Sequence, residues 1–246
     1  TAMSVTSVLL LVSSFSVVVI IMALIFIPIL WIYLHKVQEP FIQPKLFKNR
    51  QFLKLLFIGF TTFFTNFSTM FLLPILLTLE YNKSPVEIGM IIFPGAIIGA
   101  ITAQFIGRLI DIFGTSRFFV IGQLFFAAGA ILFAMMATSS HYYVIFIFML
   151  ISIGFSTLNS SLANEVTRIL PFEDIGTGVG LSQMIQFFGG SFGVTIAGLL
   201  ITLQTGFTSS IVYRNTFIFI TCIISCSFLT YFFYYRKLNK NSKTLE

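Results

Sequence analysis

Charge is what this sequence has least of. Only 9% of its 246 residues are Asp, Glu, Lys or Arg, where a soluble domain of ordinary composition carries about 25%. So few charges cannot coat a water-facing surface, which excludes a soluble enzyme or a nucleic-acid-binding domain and makes lipid the expected solvent. Histidine is limited to His35 and His141, and cysteine to Cys222 and Cys226. With no HExxH motif and no His/Cys cluster, a metal site, a disulfide framework and intramembrane catalysis are all unexpected, and no cofactor is implied. The two cysteines stand one helical turn apart inside an apolar run and read as ordinary small buried residues. No basic n-region or cleavage site precedes the opening apolar run, so it is not a signal peptide. A start at Thr1, directly before a span, is expected to be the cut end of a longer protein.

What is present is long apolar sequence. A helical span needs about 20 mostly apolar residues. Seven stretches qualify, from Val8 to Leu34, Phe52 to Leu79, Ile88 to Ile110, Phe118 to Ala137, Tyr142 to Ala163, Gly178 to Leu203 and Thr216 to Tyr235. The short alternating segments of a membrane barrel are absent. Fold class follows: an all-α integral membrane protein of about seven transmembrane helices. Twelve of the 14 basic residues fall on one side. Lys36, Lys45, Lys48, Arg50 and Lys54 lie in or beside the first connection, Arg108 and Arg117 in the third, Arg168 in the fifth, and Arg236, Lys237, Lys240 and Lys243 in the tail. Only Lys83 and Arg214 lie opposite. Positive charge stays inside, so the first connection and the C-terminus are expected to be cytoplasmic. The first connection is also the longest and contains Pro40 and Pro44, which break a continuous helix. It divides the chain into one span (1–35), a connecting loop (36–51), six further spans (52–235) and a basic tail (236–246). The other connections are short and predict antiparallel packing between consecutive helices.

Two spans carry small residues every fourth position: Gly95, Gly99, Ala103 and Gly107 in the third, and Gly189, Gly193 and Ala197 in the sixth. Such spacing lets neighbouring helices approach closely. Pro94 removes the donor that Met90 would otherwise find and predicts a bend. The pattern fits tight packing alone, and it also fits helices that slide against their neighbours. Uncharged polar residues form stripes: Thr62, Asn66 and Thr69; Ser152, Ser156 and Asn159; Gln183 and Gln186. An amide in hydrocarbon finds a partner or faces a water-filled cavity, so these residues are either interhelical glue or the wall of a shared cavity. Phenylalanine is abundant, with 32 residues; Phe63, Phe67 and Phe187 flank the stripes and are candidates for an apolar pocket.

Between the third and fourth spans runs Gly107-Arg108-Leu109-Ile110-Asp111-Ile112-Phe113-Gly114-Thr115-Ser116-Arg117. Gly107 permits close helix approach, Gly114 a tight turn, and Asp111 and Arg117 can pair with each other or with a helix end. The spacing Gly-x-x-x-Asp-x-x-Gly-x-x-Arg resembles the cytoplasmic signature of the major facilitator superfamily, found after the second helix of each six-helix half. Ile112 and Thr115 stand where basic residues are usual. The stretch Glu39–Phe52, the run Gly89-x-x-x-x-Pro94-Gly95 and the glycine-rich sixth span are similar to the fourteen-span drug:proton antiporter branch. Within it, the likeness is greatest to staphylococcal quinolone and multidrug efflux pumps of the Nor type.

The resemblance implies the C-terminal portion of a bacterial cell-membrane antiporter that works by alternating access. It implies that Gly107, Asp111, Gly114 and Arg117 form a conformational latch. Thr62, Asn66, Thr69, Ser156, Asn159, Gln183 and Gln186 would line the substrate cavity. The energy source would be the proton gradient, and the partners the N-terminal transporter half, amphipathic and often cationic drugs, and membrane lipid. An exporter of a metabolite, siderophore or lipid is the second reading. A seven-helix receptor is the third, and it lacks an Asp-Arg-Tyr type motif after the third span and an Asn-Pro-x-x-Tyr motif in the seventh.

Overall fold

The computed structural model describes residues 44–204 and 206–242, with side chains for 45–204 and 206–232. The expected first span, Val8–Leu34, lies outside the described residues. The chain divides into two compact units, residues 1–46 and 47–246, and the second carries the site. The described helices are α1 (Pro44–Lys48), α2 (Arg50–Tyr81), α3 (Pro85–Phe113), α4 (Thr115–Met136), α5 (His141–Ile169), α6 (Ile175–Leu203) and α7 (Ser209–Ser242), with a 3-10 turn at Phe172–Asp174 before α6. Six of them, α2 to α7, are long and apolar enough to cross a membrane.

Local signals set the ends. Asn49 caps α2, its side chain accepting from the Gln51 and Phe52 amides at 3.0 and 3.2 Å. α2 stops at Asn82, whose left-handed φ of 49° ends the helix. Ser84 and Glu87 form a reciprocal capping box at the start of α3, with Pro85 in the first turn. Gly114 closes α3 with φ +84°, a conformation that side chains disfavour, and its amide reaches the Ile110 carbonyl at 2.9 Å. Two expected boundaries shift. Pro44 opens a short helix inside the expected 36–51 loop, because proline breaks a helix but starts one readily. α7 runs past Tyr235 to Ser242, so the expected basic tail begins as helix.

The packing order differs from the chain order. Consecutive helices were expected to be the main partners, yet only α4 and α5 pack extensively as neighbours in sequence. The other large seams join α2 to α6, α3 to α5, α4 to α7 and α2 to α7. Short loops fix direction, but glycine and hydroxyl positions choose partners. At the α4–α5 seam, a Cβ on Gly154 would meet the Phe126 amide nitrogen at 2.6 Å, and one on Gly122 the Leu158 nitrogen at 3.1 Å. At the α4–α7 seam, Phe119 stacks on Tyr231 at 4.1 Å, Phe133 stacks on Phe217 at 4.9 Å, and Gln123 donates to Ser227 at 2.8 Å. That amide bond is interhelical glue of the kind lipid favours. The result leaves α3 at the edge, with 17% of its apolar stretch buried against 56% for α2. Cys222 and Cys226, expected inside, are exposed on α7; in lipid an outward apolar side chain costs nothing, so hydropathy alone could not assign their direction.

Candidate functional site

A cleft of about 270 Å³ opens between α2, α3 and α5. Its floor is the small-residue face of α3, from Gly95 and Gly99 to Ala103, and Phe148 and Phe155 of α5 and Met70 of α2 form its walls. Asn66, Ser152 and Ser156 supply its polar atoms. Ser156 donates to the Gly99 carbonyl at 2.7 Å, a contact possible because Gly99 has no side chain in the way. Pro74, inside α2, removes the helical donor for the Met70 carbonyl.

Beside the cleft, phenylalanines from three helices converge. Phe63 meets Phe155 edge-on at 5.3 Å and Phe187 edge-on at 5.8 Å, with Phe67 at 5.7 Å. These separations are in the favourable range for aromatic pairs. Phe187 is exposed, so the cluster reaches the surface. Asn159 lies one turn along α5 from Phe155, and Gln183 one turn along α6 from Phe187; both are exposed. The structure thus brings together Asn66, Ser156, Phe63, Phe67 and Phe187, with Asn159 and Gln183 flanking them.

Three residues expected on the cavity wall turn inward instead. Thr62 and Thr69 are buried within the bundle, and Thr69 bonds the Thr65 carbonyl of its own helix at 2.8 Å. Gln186 is buried in the α2–α6 seam against Gly59, and its amide donates to Ser182 at 3.0 Å. The cause is helix geometry: a polar arc on α2 or α6 spans both the open side and the packed side, and a stripe read from spacing does not say where the division falls.

At the other expected site, Gly107, Asp111, Gly114 and Arg117 are all exposed. Gly107 was expected to allow close helix approach; among the described residues a Cβ there would meet nothing within 4 Å. Among the described residues Asp111 and Arg117 make no ion pair, with each other or otherwise. Thr115 anchors the turn, bonding Asn164 of α5 at 2.7 Å. Sequence reasoning missed Glu165, which is 2% exposed at this end of α5 and receives Arg168 on both carboxylate oxygens, Nε at 2.9 Å. Glu and Arg three apart near a helix end was the available signal. It also missed Gln123, a mid-span amide outside any stripe. Among the described residues no three His, Cys, Asp or Glu come together in a metal-binding group.

The chain matches the Major Facilitator Superfamily over residues 55–246. It is similar to the multidrug transporter protein MdtP of Bacillus subtilis, 28% identical over 172 residues, which are 70% of this chain and 32% of MdtP. The riboflavin transporter RibZ of Clostridioides difficile is 28% identical over 176 residues, 71% of this chain and 36% of RibZ. The lincomycin resistance protein LmrB of Listeria monocytogenes is 26% identical over 162 residues, 65% of this chain and 34% of LmrB. The chain spans about a third of the length of these curated relatives. A match over most of the chain and six apolar helices lead to one conclusion: this multi-pass membrane protein belongs to the major facilitator superfamily.

Proposed function

We propose that the chain is the C-terminal portion of a proton-coupled multidrug efflux antiporter of the fourteen-span branch, moving its cargo by alternating access. The carrying observation is the aromatic cluster in which half-buried Phe155 and exposed Phe187 pack on the buried Phe63, with Asn66, Asn159 and Gln183 around them and no charged side chain among them. Aromatic faces accept many apolar shapes, and amides offer both donors and acceptors without imposing a charge. Such a surface binds amphipathic molecules loosely and in several poses. The relatives named for multidrug transport and lincomycin resistance support the substrate class. Proton coupling rests on the family likeness, and the coupling acids would belong to the N-terminal half. Transport, rather than bond chemistry, is the activity.

The test is a resistance profile of the complete protein against several unrelated dyes and antibiotics. Asn66→Leu, Asn159→Leu and Gln183→Leu should each lose some compounds and keep others, at unchanged melting temperature. Gln186→Leu should act differently: it should weaken the α2–α6 seam and lower resistance to all compounds alike, together with the melting temperature. Uniform loss from the first three, tracking melting temperature, would return them to packing. The second reading, export of a metabolite, draws on RibZ, named for a flat, polar heteroaromatic vitamin. It would be favoured if riboflavin moved and the dyes did not.

A further inference from the structure

A second opening lies between α4 and α7, neither of which lines the cleft. It is a slot of about 210 Å³. Ile131, Ala134 and Met135 form one side and Ile218, Thr221 and Cys222 the other, with Arg214 at one end. We propose that this slot holds an acyl chain of a membrane phospholipid whose phosphate is bound by Arg214.

The geometry is that of one lipid chain under one head group. Arg214, Ile218, Thr221 and Cys222 follow one another on a single face of α7, so the slot descends about 12 Å along the helix from the guanidinium. Ala134 stands between the larger Ile131 and Met135, and its missing bulk opens the slot. Further along, α4 and α7 close on each other through the Gln123–Ser227 bond at 2.8 Å and the Phe119–Tyr231 stack at 4.1 Å, which ends it. The lining asks for nothing polar: the Thr221 hydroxyl is already bound to the Phe217 carbonyl at 2.8 Å. Ile131 and Ile218 are nearly half exposed, so the slot opens sideways, toward lipid.

Charge identifies the head group. Lys83 and Arg214 are the two basic residues at the end that the charge distribution assigns to the outside. Lys83 is neutralised by Glu87 at 2.9 Å. Among the described residues Arg214 makes no ion pair, with Glu80, Glu87 or any other acid. An unpaired guanidinium at the interfacial end of an apolar slot complements a phosphodiester, to which Arg binds in a forked geometry. Inorganic phosphate would satisfy the arginine and leave the slot empty; an alkane would do the reverse. A phospholipid satisfies both.

The inference is independent of what the protein transports. The test uses the complete protein in phosphatidylcholine nanodiscs containing a minor fraction of phosphatidylglycerol with a photoreactive acyl chain. Labelled peptides are quantified by mass spectrometry. Labelling should concentrate on the α4 and α7 peptides that form the slot. Arg214→Gln should reduce it about fivefold, the effect expected of one basic residue at a membrane surface. Ala134→Leu, which fills the slot and keeps the arginine, should reduce it too, while Lys83→Gln should not. Slot labelling unchanged in both Arg214→Gln and Ala134→Leu would overturn the proposal. So would displacement of the labelled lipid by excess inorganic phosphate, which would mark an anion site without a chain.

Discussion

On α6, Gly189, Gly193 and Ala197 are all buried, and they bring the helix onto the backbone of α2. A Cβ on Gly189 would lie 2.9 Å from the Phe60 Cα, and one on Gly193 would press on the Phe64 carbonyl and lie 2.7 Å from Ser68 Oγ. On α3, the same spacing meets side chains instead. Gly95 faces the Phe148 ring, Gly99 faces Ser152 and Ser156, and Gly107 faces open space. One sequence pattern therefore serves two purposes. On α6 it welds two backbones, and nothing in that contact can yield without moving a helix. On α3 it gives a smooth floor to the cleft, backed by side chains of α5 at Gly95 and Gly99 and, at Gly107, by nothing among the described residues. The difference fits a bundle in which the α2–α6 pair is a rigid post and α3 is the helix able to shift.

The sharpest way to break this contrast is Gly193→Val. The new side chain meets a carbonyl oxygen rather than a flexible ring, so the cost should reach or exceed about 3 kcal/mol, the upper range for overpacking. The complete protein should lose most of its monodisperse yield in detergent, and what remains should melt well below wild type. A Gly193→Val protein of normal yield and melting temperature would mean that the seam is not rigid, and the comparison would lose its first half.

Gly95→Ala should do less. The added methyl would sit 2.6 Å from Cε1 of Phe148, and a ring can turn where a backbone cannot. The expected loss is about 1 kcal/mol. The displaced ring has the cleft to turn into, so export of the bulkiest dyes should fall while that of small ones persists. A melting-temperature drop as large as that of Gly193→Val would show α3 to be as tightly held as α6.

Much of this bundle was legible in the sequence, and the limits are physical. Hydropathy located all six described spans because crossing a bilayer needs length and apolarity, both additive along the chain. Caps such as Asn49 and the Ser84–Glu87 box moved the ends by only a few residues. Direction around each helix was harder to read. In water, an inward polar residue is an anomaly that reveals itself; in lipid both faces of a helix are apolar, so Cys222 and Gln186 gave no sign of which way they pointed. Thr62 and Thr69 share a stripe with Asn66, yet only Asn66 lines the cleft, because the packing of α2 against α6 and α7 decides where the open arc ends. Partner choice was hidden for the same reason: it depends on contacts such as Gly154 with Phe126, which no spacing on a single helix reveals. Of the loop motif, Gly114 fulfils its expected turn.

The smallest structural effect, and the most informative one, belongs to Gly107. Among the described residues nothing lies within 4 Å of a Cβ placed there, so Gly107→Ala is not overpacked against any of them. Alanine also favours helix over glycine by up to about 1 kcal/mol, so the melting temperature should hold or rise slightly. Transport is the discriminating readout. Asp111, one turn further along α3, is exposed as well, so this end of α3 presents a bare glycine and a carboxylate on the bundle's surface. If alternating access brings that end against a helix of the other transporter half, the added methyl will hold the two apart in the closed state. Dye export by the complete protein should then fall at normal abundance and normal melting temperature. Gly107→Leu should fall further, since the obstruction grows with the side chain, whereas a residue that only tunes helix propensity would show no such gradation. Full export by both variants would mean that α3 never meets a partner at this position. The small-residue stripe would then end functionally at Ala103, the last of its residues to line the cleft.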